Sequence, residues 1–319
     1  MKIFFRCSLS AAFGLSIACR SSLVKAQETN VSTSSGFSLS ILHMNDHHSH
    51  LPEEDFTVAI DTLPSDVTAN INTTAVQEID VSYGGFPRLI SLFRQLETEN
   101  PNTLKLHAGD VFAGTLFFTL FEGYADAELM NHICFDAMTL GNHEFDNGNE
   151  ALTQFITDLQ GNTTLLCEEP TPIVSANIAD DGDLQPLLLP YVIREFEEGT
   201  QTVAVIGITT DTTSLTSSPS EGTSFLDERE TAINTIAEVT SLGVDKIILL
   251  THIGFENDVE SMAQLEGVDV VVGGHSHTLM ADDSAVSRSL RSADAPYPEV
   301  ITRTSDGGTV CVVQTWEYG

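Results

Sequence analysis

The feature that most constrains the fold is the alternation of short runs rich in Ile, Val and Leu with longer amphipathic runs. Short, continuously apolar runs are typical of strands buried on both faces of a parallel sheet, and the amphipathic runs are typical of the helices that cover it. The pattern predicts an α/β fold. The predicted strands are residues 38–44, 103–107, 137–140, 173–176, 202–208, 246–250, 268–272 and 309–314, and the predicted helices are 85–98, 126–133, 150–159, 227–242 and 258–265.

The chain has 319 residues, and its sequence shows no clear division into two domains. That length suits one large α/β domain or two smaller ones, and no change in composition divides residues 38–319. Residues 27–37 are a polar lead-in. The acidic stretch 51–82 has no sustained helical pattern and is predicted to be a long surface insertion, while residues 209–226 and 279–298 are predicted to be rich in loops.

The N-terminus has the pattern of a signal peptide. Lys2 and Arg6 precede an apolar stretch, 7–19, which is too short to span a bilayer. Small residues near Ala26 predict cleavage before Gln27, and a lipoprotein-type cut at Cys19 is the alternative. No later run is long and apolar enough for a transmembrane helix. The predicted location is therefore outside the cytoplasm, as a secreted, extracellular, cell-surface or periplasmic protein.

The charge is strongly one-sided, with 46 Asp and Glu against 13 Lys and Arg and a formal net charge of −33. Removal of residues 1–26 would take away four basic residues and no acidic one. Nucleic-acid binding needs clustered Lys and Arg, and anionic membranes repel such a surface, so both kinds of partner are excluded. An acidic protein that binds an anionic substrate needs another source of positive charge, and metal ions are the obvious one.

Potential metal ligands follow five of the predicted strands. Sites in open α/β sheets form at the carboxyl ends of strands, so these residues are expected to converge. Imidazole and carboxylate ligands suit Zn, Mn or Fe, and a bridging carboxylate can hold two ions about 3.5–4 Å apart. The sequence predicts a two-metal site. The five segments are Asn45-Asp46-His47-His48, Ala108-Gly109-Asp110, Gly141-Asn142-His143-Glu144, Thr251-His252 and Gly273-Gly274-His275-Ser276-His277.

The order of these motifs resembles that of the calcineurin-like metallophosphoesterases. The segments ILHMNDHH, YGGFPRL, HAGDVFAGT, DAMTLGNHEFDNG, SANI, THIG and GGHSHT narrow the resemblance to the secreted 5′-nucleotidase family, over residues 38–319. The resemblance implies a four-layer αββα sandwich. It also implies a ligand set. Asp46, His48 and His277 would bind one metal ion, and Asn142, His252 and His275 the other, with Asp110 bridging both.

The resemblance further implies the reaction. His143 would be the catalytic histidine beside the phosphate, and Asp146 would orient it. The expected activity is hydrolysis of nucleoside 5′-monophosphates to nucleoside and phosphate by metal-activated water, with two divalent ions such as Zn or Mn as cofactors. The alternatives are UDP-sugar hydrolysis or 2′,3′-cyclic nucleotide cleavage on the same scaffold, and a non-catalytic secreted binding protein. The family carries a C-terminal nucleotide-binding domain, which is expected to be absent here, with the metal domain cut short.

Other conspicuous residues are interpreted as structural. Three cysteines, Cys134, Cys167 and Cys311, remain after residue 26, and at most one pair among them can form. Glu144 is expected to accept hydrogen bonds from neighbouring loops, and Asn177 to support a strand end near the site. The remaining residues interpreted as structural are His43, His107 and His132, together with Phe117, Phe118 and Phe121, whose spacing predicts a buried helix turn.

Overall fold

Two parallel sheets and the helices outside them make up the fold, seen in a computed structural model. The structure describes residues 37–60, 77–161, 166–281 and 293–318 and, closer to the N-terminus, only the backbone of residues 6–10 and 16–20. Most of the predicted signal peptide, 1–26, thus lies outside the described residues and stays a prediction.

The helices and strands have the following bounds. The helices are α1 (Phe86–Glu99), α2 (Leu116–Phe121), α3 (Tyr124–Met130), α4 (Gly148–Gly161), α5 (Thr213–Thr216), α6 (Glu228–Ser241) and α7 (Phe255–Glu260). The strands are β1 (Arg6–Ser10), β2 (Ser16–Arg20), β3 (Ser40–Met44), β4 (Glu53–Ala59), β5 (Glu78–Gly84), β6 (Thr103–His107), β7 (Ala137–Thr139), β8 (Ile173–Val174), β9 (Ile178–Ala179), β10 (Leu188–Leu189), β11 (Tyr191–Phe196), β12 (Gln201–Thr209), β13 (Ser224–Phe225), β14 (Ile247–His252), β15 (Val270–Val272), β16 (Met280–Ala281), β17 (Ala295–Pro296), β18 (Glu299–Thr302) and β19 (Thr309–Val313).

The two large sheets differ in their edges. The first has the order β10-β8-β7-β6-β3, and its strands are all parallel. The second has the order β11-β12-β14-β15-β19-β18, with four parallel central strands and an antiparallel strand at each edge. Parallel neighbours need long crossovers, and the helices supply them.

Alternating side chains of these strands divide the core into three layers. Ile41 and Leu106 of the first sheet pack with Val205 and Leu250 of the second in the core between the sheets. The opposite face of the first sheet packs against α1, α3 and α4, and that of the second packs against α6 and α7. The order helices, sheet, sheet, helices confirms the predicted four-layer αββα sandwich.

The stretch 51–82 contains regular structure that its sequence pattern does not indicate. The expected surface insertion contains an antiparallel hairpin, in which β4 pairs with β5 from Glu53 opposite Gly84 to Ala59 opposite Glu78. Residues 61–76 lie outside the described part. In β4, the exposed residues Glu53, Asp55 and Thr57 alternate with less exposed ones such as the buried Val58, but the acidic residues on the outer face obscure this period of two in the sequence.

The interpretation of the phenylalanine cluster as core was wrong in two of three cases. Phe118 packs on Phe112, with ring centroids 4.8 Å apart. Phe117 and Phe121 are exposed, because α2 has only six residues and is apolar on nearly every side, so one face of it remains uncovered. The helix predicted at 258–265 is instead α7 followed by a 3-10 turn at Met262–Gln264. No helix in the described part of the chain is long and apolar enough to cross a membrane.

Candidate metal centre

The carboxyl ends of six strands meet at one edge of the two sheets. β3, β6 and β7 lead to Asp46 and His48, to Asp110, and to Asn142 and His143. In the second sheet, β14 ends at His252 itself, β15 leads to His275 and His277, and β19 leads to Glu317. The structure therefore brings together the residues that the sequence singles out, in the place expected for a parallel sheet.

Five of the predicted ligands have a left-handed backbone. Asp46, His48, Asp110, His275 and His277 have φ values of 48°, 46°, 57°, 78° and 49°. Such a conformation costs a non-glycine residue of the order of 1–3 kcal/mol and persists only where the surroundings impose it. Its concentration at one edge of the sheets indicates a site whose geometry is maintained at the expense of stability.

Glycines let these loops approach each other. A Cβ on Gly141 would lie 2.1 Å from Asp110 Oδ1, and one on Gly274 would lie 2.8 Å from His252 Nδ1 and 3.0 Å from Asp46 Oδ2. Any side chain at either position would displace a predicted ligand. Gly141 and Gly274 are therefore required because a larger residue would not fit.

Asp46, His48 and His277, here called the His277 trio, offer ligand atoms that all lie within 4.8 Å of one another. His48 Nδ1 lies 2.8 Å from the carbonyl oxygen of Phe112, and His277 Nδ1 lies 2.6 Å from the carboxylate of Glu317. Each Nδ1 must carry a proton to donate to these acceptors, so each Nε2 presents a lone pair in the neutral ring. The two Nε2 atoms are 3.1 Å apart.

Asp110, His252 and His275, here called the His252 trio, form a second group within 4.8 Å. His252 donates from Nδ1 to the carbonyl oxygen of Ala108 at 2.6 Å. Its Nε2 lies 2.9 Å from Asp110 Oδ2 but has no hydrogen-bond partner of suitable geometry among the described residues. The buried Oδ1 of Asn142 has none either.

These residues fit a pair of metal ions. Lone pairs of imidazole nitrogens facing each other and facing carboxylate oxygens repel unless a cation lies between them. The donor set of imidazole, carboxylate and amide oxygen suits Zn, Mn or Fe. Asp110 Oδ2 lies 2.9 Å from His252 Nε2 and 3.9 Å from His48 Nε2, so its carboxylate faces both trios.

The charges of the protein also favour a cation at this site. Burial lowers the pKa of His252, but the carboxylates of Asp110 and Asp46 outweigh it and raise that pKa to about 10. Burial raises the pKa of Asp110, but His252 and His48 reverse this and hold it well below its usual range. The potential at His252 Nε2 thus favours a positive charge, which a metal ion would supply in place of a proton.

His143 and Asp146 form a pair beside the trios. His143 Nδ1 lies 2.6 Å from Asp146 Oδ2, and the His143 ring centroid lies 5.1 Å from that of His48. Burial lowers the pKa of His143, whereas Asp110 and Asp146 raise it by more, so the net pKa is raised. The His143 side chain is 36% exposed, so it can meet a ligand that enters from solvent.

Glu144 and Asn177 have the structural roles expected from the sequence. Glu144 is buried and accepts hydrogen bonds from the backbone N–H groups of Gly141, Asp110 and Val111. It thereby ties together two of the loops that carry predicted ligands. Asn177 exchanges hydrogen bonds with the backbone of Thr209, at the end of β12.

His47, the neighbour of two predicted ligands, points away from both trios into a buried chain of hydrogen bonds. The N–H of Gly109 donates to His107 Nδ1, so His107 donates from Nε2 to His47 Nδ1 at 3.0 Å. His47 then donates from Nε2 to Asp126 at 3.1 Å, and the Ser49 hydroxyl donates to the other oxygen of that carboxylate. The chain connects the loop after β3 with the loop after β6.

Sequence reasoning missed Glu317 and Tyr318. Glu317 contacts His277, and the Tyr318 ring stacks on His50 with centroids 3.9 Å apart. Both follow the carboxyl end of β19, which is one of the predicted strands. The rule that located the other five segments would have located this one as well.

Comparison with known proteins places the chain in the family that the sequence motifs resemble. The profile of the calcineurin-like phosphoesterase family matches residues 39–279. A Treponema pallidum protein named "Probable 5′-nucleotidase" is 39% identical over 286 residues, which are 89% of this chain and 44% of that protein. This chain thus spans less than half of the length of that relative.

Two solved structures resemble the fold over 88% of this chain. The 5′-nucleotidase precursor from Thermus thermophilus has a TM-score of 0.74 and 35% identity, and 49% of it is covered. The NAD nucleotidase of Haemophilus influenzae has a TM-score of 0.75 and 37% identity, and 50% of it is covered.

Proposed function

The chain belongs to the calcineurin-like phosphoesterase family, and we propose that it hydrolyses phosphoric esters, with nucleoside 5′-monophosphates as the substrate class. One observation carries the proposal: the two ligand trios lie side by side, the carboxylate of Asp110 is close to a histidine of each, and His143 lies next to them. The 5′-nucleotidases among the similar proteins support the choice of nucleotide.

In this proposal the His277 trio would hold one divalent ion, and the His252 trio with Asn142 would hold another. The carboxylate of Asp110 lies next to histidines of both trios. When bound, such ions offset the charge of a phosphate and lower the pKa of a water molecule to near 7. His252 and His48 keep their Nε2 atoms aimed at the site because backbone carbonyls hold their Nδ1 protons.

The protonated His143 ring provides a proton donor next to the phosphate. Asp146 fixes the Nδ1 proton, which leaves Nε2–H free to donate to an ester oxygen. The neighbouring carboxylates raise the pKa of His143, which favours the doubly protonated ring that can donate this proton. A donor placed there stabilises charge that develops on the leaving oxygen.

Export from the cytoplasm is part of the proposal. Cys134 and Cys167 form a disulfide, and disulfides persist mainly in oxidising compartments. This observation is independent of the signal-peptide pattern and agrees with it. N-terminal sequencing of the protein exported by its host should begin at Gln27, and recovery of the uncleaved chain from the cytoplasm would contradict the proposal.

The test of function uses the purified chain and a substrate panel. We expect two divalent ions per chain by elemental analysis, loss of hydrolysis in chelator, and loss of both ions in Asp110→Ala. AMP, UDP-glucose, 2′,3′-cyclic AMP and an aryl phosphate should be compared at saturating metal. Preference for UDP-glucose or the cyclic nucleotide would replace the proposed substrate, and metal binding without hydrolysis would favour a binding protein.

Residues 38–319 by themselves are expected to discriminate weakly between nucleobases. The resemblance places base recognition in a second domain of the family, and the matching residues of this chain cover 44% of the Treponema pallidum relative. We therefore propose that residues 38–319 carry the chemistry, with little base selectivity of their own. Strong preference for AMP over the aryl phosphate would show that recognition lies within these residues.

A further inference from the structure

Three of the predicted ligand histidines have an anchored Nδ1, and they are not anchored alike. His48 and His252 donate to backbone carbonyl oxygens, which the loops after β6 hold in place. His277 donates instead to the Glu317 side chain at 2.6 Å. The orientation of His277 therefore depends on a side chain that can be changed without altering the backbone of the site.

The segment that carries Glu317 is hydrogen-bonded to the loop after β3, which carries Asp46 and His48. The Oδ1 atom of Asn45 accepts hydrogen bonds from both the backbone N–H and the hydroxyl of Thr315, and its amide group donates to the carbonyl oxygen of Trp316. The N–H of Tyr318 donates to the carbonyl oxygen of Asp46. Glu317 lies between these attachments, and its side chain is only 18% exposed.

Glu317 adds a charge as well as an orientation. The His277 trio has one carboxylate, Asp46, and Glu317 places a second one on the far side of the His277 ring. A carboxylate that accepts the distal N–H of a ligating histidine makes the other nitrogen a better donor.

We infer that Glu317 is a positioning residue for His277 and that it selectively strengthens cation binding by the His277 trio. This inference rests on the proposed metal centre and extends it to a residue in the segment after β19. The His252 trio has no contact with Glu317 among the described hydrogen bonds and ion pairs, so its affinity should not depend on that carboxylate.

The experiment measures Mn²⁺ binding to chelator-stripped protein by titration calorimetry. In Glu317→Ala we expect the dissociation constant of one of two sites to rise about 10–100-fold, the usual effect of removing such an outer hydrogen-bond partner. Glu317→Gln keeps an acceptor oxygen and loses the charge, so its effect should be smaller. Glu266→Gln, at an exposed position, is the matched control and should bind like the wild type.

The affected site is identified in a His252→Ala background. That change weakens the His252 trio, so the remaining site is the His277 trio, and adding Glu317→Gln should weaken it by the same factor as in the wild-type background. Equal binding by Glu317→Ala and the wild type, or equal weakening of both sites, would overturn the inference. Urea unfolding of the metal-free variants should match the wild type, since the role is in positioning and not in folding.

The readout separates this inference from the proposed function. A chain that binds two Mn²⁺ ions but hydrolyses no phosphoester would refute the function and still test Glu317. A wild-type chain that binds no Mn²⁺ would refute both.

Discussion

His143 is the residue whose role can be separated most cleanly from metal binding. It belongs to neither trio, and its Nδ1 is held by Asp146. In His143→Ala we expect both metal ions to remain and kcat to fall about 10²–10⁴-fold, which is the contribution of a well-placed acid or electrostatic group. Elemental analysis and steady-state kinetics on the same preparation measure the two effects.

His132→Ala is the control for that change. His132 is a partly buried histidine outside both trios, and its replacement should leave kcat unchanged. If His143→Ala loses one ion while activity per bound metal stays near that of the wild type, His143 is a ligand and the proposed role is wrong.

Asp258 offers a test of stability against pH. It is 1% exposed, accepts a hydrogen bond from Thr251, and has no partner for Oδ2 among the described residues. Burial raises its pKa to about 8 from 3.8. Between these values the folded state keeps a proton that the unfolded state releases, so stability falls as pH rises, by about 1.4 kcal/mol per pH unit from this group.

Asp258→Asn should remove this contribution, because the amide keeps an acceptor for Thr251 and does not ionise. Urea unfolding at pH 5, 6, 7 and 8 would then give a shallower decline of the free energy of unfolding than in the wild type. Asp55→Asn, at an exposed position, should leave the decline unchanged. Equal slopes in Asp258→Asn and the wild type would show that Asp258 is already ionised at pH 5.

The sequence predicts which segments carry the site residues, because those segments follow strand ends, but it does not predict which residue of a segment enters the site. Spacing alone could not choose among His47, His48 and His50, because all three follow the same strand. The structure turns His47 into the chain with His107 and Asp126, and turns His48 toward the trios. That choice depends on backbone dihedrals after β3 and on partners 60 or more residues away, which no local pattern contains.

At the scale of elements, the disulfide fastens the segment that carries Asn142 and His143. It joins Cys134, before β7, to Cys167, after α4, at a separation of 33 residues. A loop of that length predicts a loss of about 3–4 kcal/mol in the free energy of unfolding when both cysteines become serine. Urea unfolding of the double variant against the wild type measures it.

Metal content is the companion measurement for the double variant. Neither cysteine belongs to a trio, so two ions per chain should remain in the folded protein. An unchanged free energy of unfolding would mean that the unfolded chain gains little freedom when this loop opens. Loss of an ion would mean that the disulfide also positions the loop after β7.

Helices and strands were predictable where the hydrophobic pattern of the sequence matches the burial of the side chains. β12 and β14 contain continuous apolar runs, residues 203–208 and 247–250, that are buried on both faces, so composition alone identifies them. β11 was missed, because it is a half-buried edge strand. The hairpin of β4 and β5 was missed because its apolar face is narrow, and the exposure of α2 depends on which neighbours are present to cover it.

At the scale of the whole molecule, the layer order followed from the resemblance, while the alternation of buried side chains explains it physically. Ile248 and Leu250 face the other sheet, whereas Ile247 and Leu249 face the helices. A strand that is apolar on both faces requires a covering layer on each. Strand order was not predictable from this rule, since any permutation of buried parallel strands satisfies it.

The net charge of −33 predicts how the whole molecule meets an anionic substrate. At about 10 mM salt the Debye length is about 30 Å, so the acidic surface repels a nucleotide well before it reaches the site. At about 150 mM salt this length falls to about 8 Å, and the substrate then experiences mainly the local charge of the loaded metal centre. We therefore expect kcat/KM for AMP to rise with NaCl over this range while kcat stays nearly constant. Saturating metal must be present throughout, so that salt effects on metal binding do not enter. A kcat/KM that falls steadily with salt would show that attraction by the metal centre dominates over the whole approach, and that the acidic surface does not control the encounter.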